Sequence, residues 1–269
     1  MGLKGHSTNY IPPHRSDRVP RYRLTLEYDG RGFVGWQRQD NGLGVQQALE
    51  EAVRAFCGEV VTVHGAGRTD SGVHALAQVA HMDLAKEWAT DTIRDALNAY
   101  LKETPVSILG AAVTSADFHA RFSAVERSYR YRIVNRRAPL TMDAGLAWWV
   151  PARLDAVAMA DAATVLVGTH DFTSFRASVC QAKSPAKTLD ELTVQTAGNE
   201  IHVAARARSF LHHQVRNIVG SLAWVGDGKW TRGHLKDALA AKDRCAGGPT
   251  APAAGLYLTG VRYGETTEI

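Results

Sequence analysis

The amino-acid sequence predicts an α+β fold in which the element order β-α-β-β-α-β occurs twice. Three observations predict it. Apolar and polar residues alternate with period two over 22–28 and 128–134, as half-buried strands require. Other stretches carry apolar residues at helical spacing, such as Ala48, Leu49, Ala52, Val53 and Phe56. Strand and helix segments follow one another in the same order in both halves of the chain.

In the first strand Tyr22, Leu24, Leu26 and Tyr28 alternate with Arg23, Thr25 and Glu27, and Asp29-Gly30 ends it. A polar–aromatic loop over 33–39 follows, with the indole of Trp36 expected at the surface. A helix spans 45–56. A short strand over 60–63 runs into a glycine-rich loop, and another strand covers 78–83. Ile93, Leu97 and Leu101 mark a second helix, with Thr90 or Asp91 as its cap. A strand at 106–113 closes the first unit. The second unit opens at 128–134, with Tyr129, Tyr131 and Ile133 on one face and Arg130 and Arg132 on the other. An apolar helix over 155–167 follows. Strands at 189–197 and 200–207 form a hairpin across Gly198-Asn199. A long helix over 211–225, another capped by Thr231 and running to 241, and a strand at 256–263 complete the order. The reading is two ferredoxin-like halves that meet between about residues 114 and 127, taken as 21–120 and 121–269. Residues 1–20 carry Pro12, Pro13, Pro20, Lys4, Arg15 and Arg18 and read as a flexible basic tail.

With 45% apolar residues among 269, the chain can build a real core. A formal charge of +4 is mild, so local clusters matter more than the total. Cys57, Cys180 and Cys245 form no C-x-x-C pair, which argues against a disulfide framework or zinc cluster and fits a reducing cytoplasm. There is no apolar run of membrane-spanning length and no apolar signal core. The expectation is a cytoplasmic protein with no membrane partner.

The stretch Gly65-Ala66-Gly67-Arg68-Thr69-Asp70-Ser71-Gly72-Val73-His74-Ala75 sets one carboxylate among glycines, two residues after a cation. Glycines permit turns that other residues resist and let a ligand approach the backbone closely. Such a loop suits a carboxylate presented in a cleft. A dinucleotide loop would want glycine where Asp70 stands, because a carboxylate repels pyrophosphate. An aspartic protease would need a second D-T-G or D-S-G and an acid able to share a proton. A plain turn with a capping Asp is the remaining alternative.

Basic and aromatic residues cluster elsewhere. Arg121, Arg127, Arg130, Arg132, Arg136 and Arg137 face one acid, Glu126, with Tyr129 and Tyr131 among them. An unbalanced arginine face is a footprint for phosphates, and rings beside it can stack on unpaired bases. The bland alternative is a tyrosine core face with a solvated arginine face. Arg31, Trp36, Gln37, Arg38 and Gln39 form a second cluster, and Arg176, Lys183 and Lys187 in a loop over 176–188 a third. Arg206, Arg208, His212, His213 and Arg216 surround a helix start. Adjacent histidines on a helix cannot face one site, so His212-His213 are not expected to bind metal.

In this combination the sequence resembles the tRNA pseudouridine synthase A (TruA) family, from about Arg21 to Tyr263. The matching segments are Glu27-Tyr28-Asp29-Gly30, Gly35-Trp36-Gln37-Arg38-Gln39, Ala66 to His74, and Phe118-His119-Ala120-Arg121-Phe122-Ser123-Ala124. They continue with Tyr129-Arg130-Tyr131, Asp171-Phe172-Thr173-Ser174-Phe175-Arg176 and Phe210-Leu211-His212-His213-Gln214-Val215-Arg216-Asn217. The resemblance implies two α+β halves with joined antiparallel sheets and a central cleft. It implies a homodimeric, cofactor-free and metal-free isomerase that converts uridine to pseudouridine in the tRNA anticodon stem-loop, at about positions 38 to 40. By that resemblance Asp70 is the catalytic aspartate, Tyr129 the ring that stacks on the target base, and Arg216 the partner of the aspartate. Arg68 is the arginine near the flipped nucleotide. The segment before Arg21 matches nothing in the family.

The implied reaction breaks the ribose–N1 bond, turns the uracil and joins its C5 to the same ribose carbon. A carboxylate serves either as nucleophile or as a base on the ribose. The target base must leave the stack to be reached. Two rival readings differ in kind. A non-catalytic RNA-binding module explains the arginines and tyrosines but not an acid facing RNA. A nucleic-acid hydrolase would want several metal-binding acids together.

Overall fold

The computed structural model describes residues 19–264. The tail expected over 1–20 lies outside the described residues but for its last two. The described strands are β1 (Arg21–Tyr28), β2 (His64–Gly65), β3 (His74–Asp83), β4 (Val106–Thr114), β5 (Ala124–Asn135), β6 (Trp148–Val150), β7 (Gly168–Asp171), β8 (Ala186–Ala197), β9 (Glu200–Ala207) and β10 (Leu256–Tyr263). The helices are α1 (Val45–Cys57), α2 (Thr90–Leu101), α3 (Ala156–Ala163), α4 (Gln214–Gly226) and α5 (Arg232–Ala241).

The fold class is as the sequence predicts. One mostly antiparallel sheet runs β4-β1-β3-β10-β5-β9-β8-β7, with β2 on β3 and β6 on β5. The order β4-β1-β3-β2 in the first half recurs as β10-β5-β9-β8 in the second. The halves join where β10 pairs in parallel with the start of β3, Tyr257 opposite His74 and Leu258 opposite Ala75. At the other end of the same edge, β3 pairs with β2, His81 opposite His64 and Ala80 opposite Gly65.

Burial follows the periodicities. Tyr22, Leu24, Leu26 and Tyr28 face one core with Leu49, Val53, Ile93 and Leu97 from the helices. Tyr131, Ile133 and Val203 face a second with Leu166, Phe172, Phe175, Ile218 and Leu222. The cores interlock: Val73 belongs to the second and Leu258 to the first, and Tyr129 packs against both.

Several local expectations are corrected. Residues 60–63 form no strand: Val60 is exposed, and the Val63 N–H donates to Glu50 Oε1 (3.2 Å) instead of a ladder partner. Helix α2 starts after Ala89 without a side-chain cap, and Asp91 sits in its first turn, where it meets the helix dipole and Arg94. Helix α3 is capped by Asp155 but ends at Ala163, tightening to a 3-10 turn at Thr164–Leu166. Helix α4 starts at Gln214, three residues later than the periodicity suggests, because His213 adopts a left-handed conformation (φ 62°). Strands β6 and β7 are too short to show a period. Lys187, expected in a loop, lies on β8. No described helix is long and apolar enough to cross a membrane.

Arg132 on β5 donates to Glu200 on β9 (2.7 Å) and to Asp143 (3.1 Å). The hydrogen bond from Arg132 pulls the Glu200 carboxyl from 4.5 down to about 2. A lowered folded-state pKa stabilises the fold above the unfolded value, and that contribution is lost as pH falls from about 4.5 towards about 2. Glu200→Gln should therefore be less stable than the parent near pH 7, and the gap should narrow between about pH 5 and 3. Urea unfolding across this range checks it; a gap independent of pH contradicts the assignment.

Candidate active site

The loop between β2 and β3 is held by its backbone. The Ala66 N–H donates to the Val79 carbonyl (2.7 Å). Arg127 Nη2 donates to the Ala66 carbonyl (2.7 Å), and Gln78 Nε2 to that of Gly67 (2.9 Å). The Thr69 and Tyr28 hydroxyls share a hydrogen bond (2.8 Å). Burial pushes the Tyr28 phenol up to about 12, so it stays neutral. A turn closes on Asp70, whose carbonyl accepts from the Val73 N–H (3.1 Å). Gly72, third in that turn, has φ 76°, which glycine adopts without steric cost.

A second segment fixes the acid from below. Gly35 (φ 118°) forms a β-bridge with Asp70, and the Trp36 N–H donates to the Thr69 carbonyl (3.0 Å). A Cβ on Gly35 would come within 2.7 Å of that same carbonyl oxygen. Trp36 is buried, not exposed as expected: its indole lies flat enough on Gly65 that a Cβ there would stand 2.4 Å from the ring.

Asp70 faces the first turn of α4. Arg216 Nη1 donates to Asp70 Oδ2 (3.0 Å), while its Nε donates to the Ala251 carbonyl (2.8 Å). His212 Nε2 lies 3.3 Å from Asp70 Oδ1 and His213 Nε2 lies 3.4 Å from Oδ2. Both separations exceed a normal N–H···O bond. Helical geometry does not apply to this pair, since both residues precede α4 and the left-handed His213 turns both rings toward one acid. Burial holds His213 below the ordinary histidine value, despite the opposing pull of Asp70.

The other candidates line the same cleft, of about 850 Å³, together with Asp70 and Arg216. The Tyr129 ring stands edge-on to Phe210 (5.1 Å, 88°), and burial pushes its phenol well above the usual value. Its hydroxyl makes no hydrogen bond among the described residues. Arg68 is exposed and has no hydrogen bond or ion pair among the described residues, and no contact joins it to Asp70. All four sequence-predicted residues are thus brought together, with His212 and His213 added.

The arginine clusters divide differently from expectation. Arg127 is buried and donates to the carbonyls of Ala66, Arg121, Ala124 and Arg208. Arg132 is held by two acids, and Arg206 by Glu126 and Glu191. Arg121 lines the cleft, while Arg130 and Arg137 are exposed. The roles of Gln78 and Arg127 were missed. Gln78 gave one signal, a polar residue in an apolar strand segment, which needs a buried partner.

A family model described as tRNA pseudouridine synthase matches residues 25–123 and 162–264. The chain belongs to this family. A tRNA pseudouridine synthase A of Rhodospirillum rubrum is 63% identical over 247 residues, 91% of this chain and 89% of that protein. Proteins of the same name from Paramagnetospirillum magneticum and Parvibaculum lavamentivorans are 62% and 60% identical over 91% of this chain, covering 96% and 100% of their own lengths. The chain is accordingly an isomerase that forms pseudouridine in tRNA. The cleft offers such a reaction one carboxylate, a fixed guanidinium beside it, a ring at its wall and an unpaired arginine.

The packing of Gly35 on Thr69 makes a prediction. Gly35→Ala should cut turnover by about tenfold or more, because it shifts the backbone that places the Asp70 carboxylate in the cleft. Gly58→Ala is the control: its Cβ meets open space, though at φ 78°. That variant should lose stability but keep turnover. Thermal unfolding and turnover on both proteins check this; equal turnover in the two variants contradicts it.

Proposed function

We propose that Asp70 is the catalytic carboxylate of a cytoplasmic, homodimeric enzyme that isomerises uridines of the tRNA anticodon stem-loop, at about positions 38 to 40. The observation that carries it is the Asp70–Arg216 pair at the centre of a cationic cleft, in a chain of this family. The units over 21–120 and 121–269 supply the two sides, the acid from one and Tyr129 and Arg216 from the other.

The reaction follows from the residues. Arg216 donates to Oδ2 of Asp70 and, as a planar, permanent cation, holds the carboxylate in one orientation. Oδ1 is left for the ribose, as nucleophile at the anomeric carbon or as base on a neighbouring C–H. The C1′–N1 bond breaks and the uracil turns in the cleft. C5 then bonds to C1′, the C5 proton leaves and N1 gains one, so the atoms balance without redox change. The flipped base loses its neighbours in the stem, and Tyr129 replaces that stacking, worth about 1–3 kcal/mol. Arg68, without a partner of its own, takes a phosphate near the flipped nucleotide. The exposed arginines and the basic segment over 176–188 hold the backbone further out.

The test is Asp70→Asn. The amide keeps size and polarity, so the turn survives, but it can neither attack carbon nor accept a proton. Turnover, read as hydrogen release from tRNA labelled at uracil C5, should fall by at least about a thousandfold, roughly 4 kcal/mol in barrier. Unfolding temperature and tRNA affinity should hold. Appreciable turnover in the folded variant would overturn the catalytic assignment.

A further inference from the structure

We propose that Asp70, His212 and His213 form a binding site for a zinc-type divalent ion in the free enzyme, and that this ion and the RNA substrate exclude one another. The exclusion rests on the reading that Asp70 lies where the substrate reacts. Two imidazole nitrogens and a carboxylate oxygen are a donor set that borderline metals bind well and magnesium or calcium bind poorly. One ligand atom from each of the three residues lies within 4.8 Å of the others. His212 Nε2 and His213 Nε2 stand 3.3 and 3.4 Å from the Asp70 oxygens. Zinc bonds of about 2.0–2.2 Å at tetrahedral angles set ligand atoms roughly 3.3–3.5 Å apart. The 3.3 Å from His212 Nε2 to Oδ1 matches that spacing and is long for a hydrogen bond, whereas His213 Nε2 faces the other oxygen and its ring has to shift towards Oδ1 to complete the set.

The backbone explains how neighbours in sequence come to one point. His213 takes φ 62°, an unusual conformation for a non-glycine residue, and the two rings lie 4.1 Å apart. The His212 side chain is 40% exposed, which gives an ion a route from the cleft. Arg216 opposes the ion. Its Nη1 holds Oδ2, so Oδ1 is the ligand oxygen, and its charge weakens any cation nearby. Neither ring's Nδ1 has a hydrogen-bond partner among the described residues, whereas tightly held metals have such second contacts. The site is therefore a modest one, filled and emptied reversibly, with a fourth position open to water. A bound ion occupies Asp70 Oδ1 and fills the floor of the cleft, so RNA and metal compete.

Zinc binding is measured on the full chain without RNA, by competition with a zinc-sensing dye. The parent should bind one ion per chain at this site. His212→Ala and His213→Ala should each weaken binding at least tenfold, with unfolding curves confirming that the variants fold. Cys180→Ser, in the same cleft, should bind as the parent does, and Arg216→Gln should bind more tightly. Saturating tRNA should release the ion from the parent. Binding that survives both histidine substitutions, or that Cys180→Ser abolishes, overturns the site. An ion retained beside bound tRNA overturns the exclusion. Turnover is not read in these arms, so the zinc result stands apart from the fate of the Asp70 assignment.

Discussion

Strand β3 has β1 along one edge and two partners on the other. β2 pairs with its far end and β10 with its near end, so the chain between Gly65 and His74 must leave the sheet where one partner gives way to the other. Asp70 sits at the tip of that excursion. Because β10 also carries β5 on its other side, the joint that frees the loop brings the second half against it. Tyr129, on β5, and Arg216, on α4, reach the acid as a consequence of that single pairing. Val73 and Leu258, each buried in the other half's core, lock the arrangement at either side of the loop.

Charge is spent on structure before it is offered to RNA. Arg127 donates to four backbone carbonyls, each such bond from a charged donor being worth about 1.5–3 kcal/mol. Arg132 and Arg206 tie strands together through acids. What remains around Asp70 is a small set: Arg216 bound to it, Arg68 without a partner among the described residues, and Arg121 in the cleft wall over the Phe122 ring. A carboxylate facing a polyanion repels it unless cations outnumber it locally, and here they do.

Much of this was legible in the sequence, for local reasons. Alternation at Tyr22–Tyr28 and helical spacing in α1 report burial directly, and the acid among glycines marked a presented carboxylate. Trp36 was misread because its burial depends on Gly65, 29 residues away, which leaves room for the indole. The arginines of β5 were misread because carbonyls and distant acids, Glu200 above all, are their partners, and spacing says nothing of these. The histidine pair was misread because one left-handed residue moved the start of α4. These failures share a cause: contacts between segments far apart in the chain, or one unusual dihedral, decide where a side chain ends up.

The bond from Arg216 to Asp70 crosses between the two halves, and everything about the site turns on it. Its most direct measurement is turnover by Arg216→Gln on tRNA labelled at uracil C5. Removing one charge-assisted bond from an oriented carboxylate should lower turnover about ten- to a hundredfold, with unfolding temperature and tRNA affinity close to the parent's. Parental turnover in a folded Arg216→Gln protein would contradict the account, because the carboxylate would then need no partner from the other half.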